Sequence, residues 1–438
     1  MQRIYIKQLK ENIGKKVQID GFVQIIRDQG NIKFLLVRDV TGVVQVVVLK
    51  KSKEAFEAAK KLTHESVVKI EGMVKEEQQA PGGFEVEAES IEILSLSDAE
   101  LPIPVVEKGE QGETDQSIRL DWRWIDLRKP ENLLIFKVWT LMESAFREYW
   151  VSNGYIEIHS PKLISTASES GAEVFEVKYF ERKAYLAQSP QFYKQMAMAA
   201  GFEKVFEVGP VFRAEPSFTS RHATEFTGYD VEISYIQSHY DVMQEEEKAI
   251  NFSLQKVKDK FGDEVKEIFA REVVVPELPF PKISMEKAKE ILKSRGMTSE
   301  KEGDLSPEEE RGISEYAKEK YGHEFVFITE YPVSVRPFYH MRDEKDQTLT
   351  KSFDLLWNGL EITTGAQREH RYDVLVSQAK EKGMNIDSIQ FYLNFFRYGC
   401  PPHGGIGMGP NRMIMKLLGI ENVRDAMFIY RGVKRLEP

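Results

Sequence analysis

Hydrophobic and polar positions alternate in short runs over the first hundred residues. Val17, Ile19, Gly21 and Val23 alternate with polar neighbours, the period of a half-buried strand. Lys33–Asp39 and Val43–Leu49 repeat it on either side of the turn-like Thr41-Gly42. A helical stretch follows at Lys53–Leu62, then two more strands, Val67–Val74 and Phe84–Leu94, separated by a loop that contains Pro81-Gly82-Gly83. Five strands with a helix after the third is the order of an OB-fold barrel.

From residue 131 the period changes. Leu134, Phe136, Val138, Leu141 and Phe146 share a broad helical face over 131–153. Ile250, Leu254, Val257 and Phe261 give 241–261 a second amphipathic face. Strands with few parallel-type crossovers lie between and after these helices, which predicts an antiparallel sheet flanked by helices and an α+β fold. The expected division is a barrel over 1–100, a hinge over 101–130 and a larger domain over 131–438, with a charged helical insertion around 284–320.

Composition narrows the class. The chain has 438 residues, 42% hydrophobic and 30% charged, ordinary for a globular protein with a sizeable core. No apolar run is long enough to span a bilayer. The N-terminus does not read as a signal peptide. With one cysteine, Cys400, there is no disulfide framework and no all-cysteine metal cage, so a cytoplasmic location is expected. The net charge of −10 argues against whole-surface nucleic-acid binding. Residues 1–61 nevertheless carry a surplus of positive charge, and residues 62–100 a surplus of negative charge. That pattern fits a small domain with one polyanion-facing side, or a chance fluctuation on a solvated surface.

Four segments carry candidate chemistry. In Val205–Glu215, alternation puts Phe206, Val208, Pro210 and Phe212 on one face, and Glu207, Gly209, Arg213 and Glu215 on the other. In Glu225–Tyr235, Phe226, Gly228, Asp230, Glu232 and Ser234 lie opposite Tyr229, Val231, Ile233 and Tyr235. If the two strands pair, their charged faces line one cleft, and Arg221 and His222 sit in the loop between them. Asn358-Gly359 is a type I′ hairpin signal. A two-residue loop there pairs Leu356 with Glu361 and Asp354 with Thr363, placing two carboxylates on one face. Such a pair needs a cation between them, and magnesium with a phosphate suits it. Arg368 follows, a planar fork for a carboxylate. Last, the run His403–Arg412 holds four glycines ahead of an apolar helix. It reads as a phosphate-approaching loop or simply as a tight strand-to-helix turn.

Together these residues resemble the class II aminoacyl-tRNA synthetases. Gly154–Pro161 resembles motif 1. Phe212-Arg213-Ala214-Glu215, the Arg221-His222 loop and Phe226 resemble motif 2. Gly407–Arg412 resembles motif 3. With the N-terminal barrel the chain is similar to subclass IIb, which handles aspartate, asparagine and lysine. The segments Gln188–Gln195, with Lys194, and Thr227–Glu232 resemble the aspartate-handling branch, and the short length resembles its archaeal/eukaryotic type. Three features depart from the family pattern. Asn411 stands before the motif 3 arginine, Trp122 stands in the hinge, and Ala426–Gly432 lacks the usual Phe-Pro-Arg.

The resemblance implies a ligase that activates L-aspartate with ATP and passes it to the 3′ end of tRNA-Asp, with tRNA-Asn open as a second acceptor. It implies a homodimer built on motif 1. Arg213, Glu361 and Arg412 are the expected catalytic residues. ATP would meet Arg213, Glu215, Arg221, His222, Phe226, Glu361, Gly409 and Arg412. Aspartate would meet Glu169, Ser189, Gln191, Lys194, Arg213, Asp230, Thr364 and Arg368. Mg2+ would meet Asp354, Glu361 and Thr364. Phe34 and Gln45 would read the anticodon, although Phe34 also reads as a barrel core residue. Three rival readings are an asparaginyl-tRNA synthetase, a non-catalytic tRNA-binding paralogue and an aspartate-activating ligase that makes free asparagine.

Overall fold

The alternating segments of the first hundred residues close on themselves. In the computed structural model, which describes residues 2–106, 114–166, 173–216, 219–299 and 301–438, they form β1 (Lys16–Asp28), β2 (Ile32–Asp39), β3 (Gly42–Leu49), α1 (Lys53–Lys61), β4 (Val67–Glu76) and β5 (Phe84–Ser95). The strands make a closed barrel in the order β1-β2-β3-β5-β4. Every second residue points inward: Leu35, Val37, Val44, Val46, Val68, Ile70 and Val86 fill the core. Two short helices follow, α2 (Gln116–Asp121) and α3 (Arg123–Asp126), and the first unit ends at Lys129.

The second unit, Pro130–Pro438, opens with α4 (Pro130–Ser152), β6 (Ile156–Glu157), β7 (Leu163–Ile164), β8 (Glu176–Tyr179), β9 (Arg182–Leu186) and α5 (Gln191–Ala199). Next come β10 (Lys204–Phe212), β11 (Glu225–Ser234), the long α6 (His239–Phe269), β12 (Lys282–Ser284), α7 (Met285–Ser294) and α8 (Pro307–Tyr321). It closes with β13 (Phe325–Thr329), β14 (Ser352–Trp357), β15 (Leu360–Arg368), α9 (Tyr372–Glu381), α10 (Ile386–Arg397), β16 (His403–Met408) and α11 (Pro410–Leu418).

Eight strands form one sheet, ordered β12-β13-β14-β15-β16-β11-β10-β6, and β7-β9-β8 form a small second sheet. The six central strands pair antiparallel, while the edge strands β6 and β12 join parallel, so the sheet is mixed. Helices α4 and α6 pack together behind the large sheet. There Phe146 and Trp150 of α4 meet Tyr229 of β11 edge-on, and Trp150 also packs on Phe206 of β10. The opposite face carries α5, backed by α10, and bears the cleft.

Two expectations need correction here. The hairpin turn forms as read, with Asn358 at φ 44 and Gly359 at φ 79. Its register does not hold, however: Leu356 pairs with Glu361, then Leu355 with Thr363 and Asp354 with Thr364, so Ile362 is an extra, bulged residue. The glycine run is not a loop either. His403–Met408 is a central strand whose glycines admit close neighbours: a Cβ on Gly405 would fall 2.0 Å from the Val231 carbonyl oxygen.

Candidate active site

One row of residues crosses five strands on the same face of the sheet. Asp354 pairs with Thr364, Thr364 with Gly407, Gly407 with Asp230, and Asp230 with Glu207. A cleft of about 290 Å³ opens above this row. It is lined by Ser189, Gln191, Lys194, Arg213, Glu215, Arg221, His222, Phe226 and Asp230 from one side, and by Glu361, Thr364, Arg368, Gly409 and Arg412 from the other. Residues drawn from four separate sequence segments therefore meet in one place. Glu169 lies outside the described residues. Phe34 and Gln45 stand on the barrel.

The buried end of the cleft is an ion-pair network. Lys194 Nζ donates to Asp230 Oδ1 at 3.0 Å and to the Ile406 carbonyl at 2.7 Å, and lies 3.4 Å from Glu232 Oε2. Arg368 donates from Nε to Glu232 Oε1 at 3.0 Å and from Nη2 to the Gly405 carbonyl at 3.0 Å. Its Nη1 lies 2.9 Å from His340 Nε2. Lys194, Arg368, Asp230 and Glu232 are all buried, and each charge is matched, as burial requires. Burial opposes the charged form of Glu232, yet Arg368, Lys194 and His403 keep its pKa below the usual carboxylate range. Asp230 goes the other way: burial outweighs Lys194 and raises its pKa. The sequence reading grouped Asp230 with residues around an ammonium; the ammonium it holds in the structure is that of Lys194. Glu232 and His340 were not among the expected site residues.

The open end is rich in cations. The Arg213 guanidinium lies 5.5 Å from the centroid of the Phe226 ring, and its buried Nε has no partner among the described residues. Arg221 Nη1 donates to Glu310 Oε2 of α8 at 2.7 Å. Burial, with Arg412 close by, lowers the pKa of His222, so its imidazole is neutral at neutral pH. Arg412 Nη1 donates to the Glu361 carbonyl at 2.8 Å. Gly409 N donates to the Ile362 carbonyl at 2.8 Å, which continues the β15–β16 register by one rung and fixes the start of α11, and with it Arg412.

A side chamber of about 180 Å³ brings together Arg221, His222, Asp354, Glu361 and Arg412 with Lys301, Asp304 and Glu310. Asp354 and Glu361 face it as expected, and burial with Glu361 nearby raises the Asp354 pKa. The cation resting on Asp354 is Arg336, whose Nη2 donates to Oδ2 at 2.7 Å. Among the described residues, no group of three or more His, Cys, Asp or Glu side chains is placed to hold a metal ion. Asp354 Oδ1, buried and with no hydrogen-bond partner among the described residues, together with Glu361 and the Thr364 hydroxyl, fits an ion that takes its remaining ligands from a bound phosphate and water.

On the barrel, Phe34 lies between the inward Lys33 and Leu35, and is itself only half-buried and outside the apolar core. It pairs with Val47, two positions from Gln45, whose Nε2 donates to Glu85 Oε2 at 2.9 Å. The reading of Phe34 as a core residue is therefore set aside.

A closed OB barrel followed by a mixed, mostly antiparallel sheet that gathers Arg213, Arg368 and Arg412 defines a class II aminoacyl-tRNA synthetase. Residues 115–430 match the family of class II tRNA synthetases for D, K and N, and residues 17–94 match the OB-fold nucleic acid binding domain. The chain belongs to this class II family. It is 46% identical over 430 residues to an aspartate–tRNA(Asp/Asn) ligase of Methanopyrus kandleri, covering 98% of this chain and 97% of that protein. It is 43% identical over 437 residues to an aspartate–tRNA(Asp) ligase of Pyrococcus furiosus, covering 99% of each. Among solved structures, it resembles the Pyrococcus horikoshii asparaginyl-tRNA synthetase complexed with asparaginyl-adenylate, with a TM-score of 0.91, 35% identity and full coverage of both chains. It also resembles the aspartyl-tRNA synthetase of Entamoeba histolytica, with a TM-score of 0.89, 33% identity and coverage of 100% of this chain and 93% of that one. The chain is thus a ligase that works on ATP with a divalent metal, an amino acid and tRNA. No described helix is long and apolar enough to cross a membrane.

Proposed function

We propose that this chain is an aspartate–tRNA ligase, activating L-aspartate with ATP and transferring it to the 3′ end of tRNA-Asp. The observation that carries the reading is the buried Lys194–Asp230 ion pair beside Arg368–Glu232. An aspartate molecule brings one ammonium and one side-chain carboxylate, and it can exchange partners with the resident pair. Asp230, with Ser189, Gln191 and Glu169, takes the ammonium, while Lys194 and Arg368 take the side-chain carboxylate. Asparagine offers Lys194 no anion in that exchange, and a buried charge left half-paired is costly.

Adenylate formation needs alignment and charge neutralisation more than covalent help. An oxygen of the aspartate α-carboxylate attacks the α-phosphorus and pyrophosphate leaves; Arg213 bridges the two reacting groups. Phe226 and Arg412 enclose the adenine, Glu215 accepts from its amino group, and the backbone at Gly409 leaves room for the nucleotide. Arg221 and Arg412 hold the outer phosphates as cations, and the neutral His222 holds them by hydrogen bonding. Magnesium held by Asp354, Glu361 and Thr364 would neutralise charge on the phosphates. The terminal 3′-hydroxyl of the tRNA then attacks the acyl carbon, and AMP leaves.

In the barrel, Phe34 stacks on an anticodon base and Gln45 hydrogen-bonds nearby. Among the described residues the edge strand β6 pairs only with β10, and it leaves Ile156 half exposed, which supports a two-fold homodimer formed through motif 1. The reading places the enzyme in the cytoplasm with its tRNA. Charging purified tRNA-Asp and tRNA-Asn with aspartate tests it. Aspartyl-tRNA-Asp is the expected product, its absence contradicts the reading, and the second tRNA decides whether tRNA-Asn is also an acceptor.

A further inference from the structure

The β8–β9 hairpin has no part in the chemistry described above, yet its sequence is costly for a surface turn. Its two-residue tip is Phe180-Glu181. Phe180 is 79% exposed and its neighbour Tyr179 is 44% exposed, so neither ring gains much from burial. The two rings meet edge to face with centroids 4.9 Å apart. Phe180 also sits at φ 51, a backbone region that suits Asn or Gly and strains a bulky residue. An asparagine there would relieve the backbone and expose no apolar ring.

Cations surround the rings. The register sets Tyr179 opposite Arg182 and Lys178 opposite Lys183. Alternation then puts Tyr179 and Arg182 on one face of the hairpin and the two lysines on the other. Lys183 pairs with Glu176 at 3.1 Å, whereas Lys178 and Arg182 make no ion pair among the described residues. Aromatic faces interleaved with uncommitted cations are what single-stranded RNA uses: bases stack on the rings and phosphates meet the charges.

The hairpin is also rooted at the cleft. Leu186 N donates to the Phe175 carbonyl at 3.0 Å, and Ala214 N of motif 2 donates to the Glu173 carbonyl at 3.1 Å. Phe212 N donates to the Ala187 carbonyl at 2.9 Å, directly before Gln188 and Ser189, which line the cleft. The strands that carry the tip are thus tied to the backbone that leads into the cleft lining. We propose that the Tyr179–Phe180 tip is an RNA contact in which Phe180 stacks on an unpaired base at the acceptor end of the tRNA and Arg182 and Lys178 meet its phosphates. This rests on the tRNA-charging reading and adds a docking element to it.

Phe180→Asn is the direct test, because it removes the ring while suiting the backbone. Three quantities are measured on the full chain: aspartate-dependent ATP–pyrophosphate exchange, charging of a tRNA-Asp transcript, and molecular mass by light scattering. The expected result is unchanged exchange and unchanged mass, with kcat/KM for tRNA reduced about 5- to 150-fold, the equivalent of one lost stack of about 1–3 kcal/mol. Phe180→Trp, which keeps an aromatic face, should retain charging. Equal charging by Phe180→Asn and wild type overturns the proposal. So does an equal loss of exchange and charging, which marks a structural role, or a fall in mass, which marks a contact with a second copy. A wild-type protein that charges no tRNA overturns the ligase reading and the hairpin's role together.

Discussion

Arg336 Nη2 lies 2.7 Å from Asp354 Oδ2, so a cation of the chain itself rests on the carboxylate expected to face a metal. The same guanidinium is 3.6 Å from the centroid of the Tyr331 ring, which fixes it from a second side. Arg336 thereby opposes the burial and the Glu361 charge that raise the Asp354 pKa. The proposed function has the divalent ion arrive with ATP rather than reside in the fold. EDTA should abolish pyrophosphate exchange, and excess magnesium should restore it. Without ATP, EDTA should leave the melting temperature unchanged; a drop of several degrees would reveal a resident structural ion.

Replacing Lys194 removes the cation that pairs with Asp230 and that the proposed function assigns to the substrate carboxylate. Lys194→Met should lower kcat/KM for aspartate in the exchange reaction by about 10- to 150-fold, corresponding to a charged hydrogen bond of about 1.5–3 kcal/mol. The KM for ATP should change little. Equal losses against both substrates would point to disrupted packing instead.

Glu246 of α6 lies behind the sheet, with both carboxylate oxygens buried and the Thr363 hydroxyl beside them. Burial pushes its pKa up to about 8; the Thr363 hydroxyl opposes this and Glu247 and Asp354 add to it. The folded protein therefore keeps a proton that the unfolded chain releases near 4.5. Its stabilising contribution is complete below that value and is lost as pH rises toward 8, at up to ~1.4 kcal/mol per pH unit. Glu246→Gln removes this dependence. The melting temperature of the variant relative to wild type should climb from about pH 5 to about pH 8. A constant difference across that range would contradict the assignment.

Phe34 lies outside the barrel core, so its loss should not destabilise the barrel. Phe34→Ala should weaken tRNA binding by about 1–3 kcal/mol while the melting temperature stays put. Unchanged tRNA affinity would remove this ring from the anticodon surface.

The residues themselves explain how much could be read in advance. The barrel was legible because Val17 to Val23 and their counterparts obey a strict period of two, and one face of each strand is the core. Asn358-Gly359 announced its turn because only such residues take two successive positive φ values cheaply. Lys194, Arg213, Arg368 and Arg412 were legible because they stand in contiguous motifs. The bulge at Ile362 was not, since one inserted residue leaves the local pattern apolar while shifting everything beyond it. Arg336 and Glu310 were not legible either. Each is an ordinary charged residue whose partner, Asp354 or Arg221, is distant in the chain and is met only through tertiary packing. Glu232 did show its face by alternation, but nothing local indicated that it would be held between Lys194 and Arg368.

The central claim is that the buried Lys194–Asp230 pair selects aspartate. Its most direct test is ATP–pyrophosphate exchange by the wild-type protein with aspartate or asparagine as the only amino acid. Exchange driven by aspartate, with asparagine at least about 100-fold weaker in kcat/KM, is the predicted result, since a site built for a charged group strongly rejects its neutral analogue. Asparagine supporting exchange as well as aspartate, or better, would contradict it.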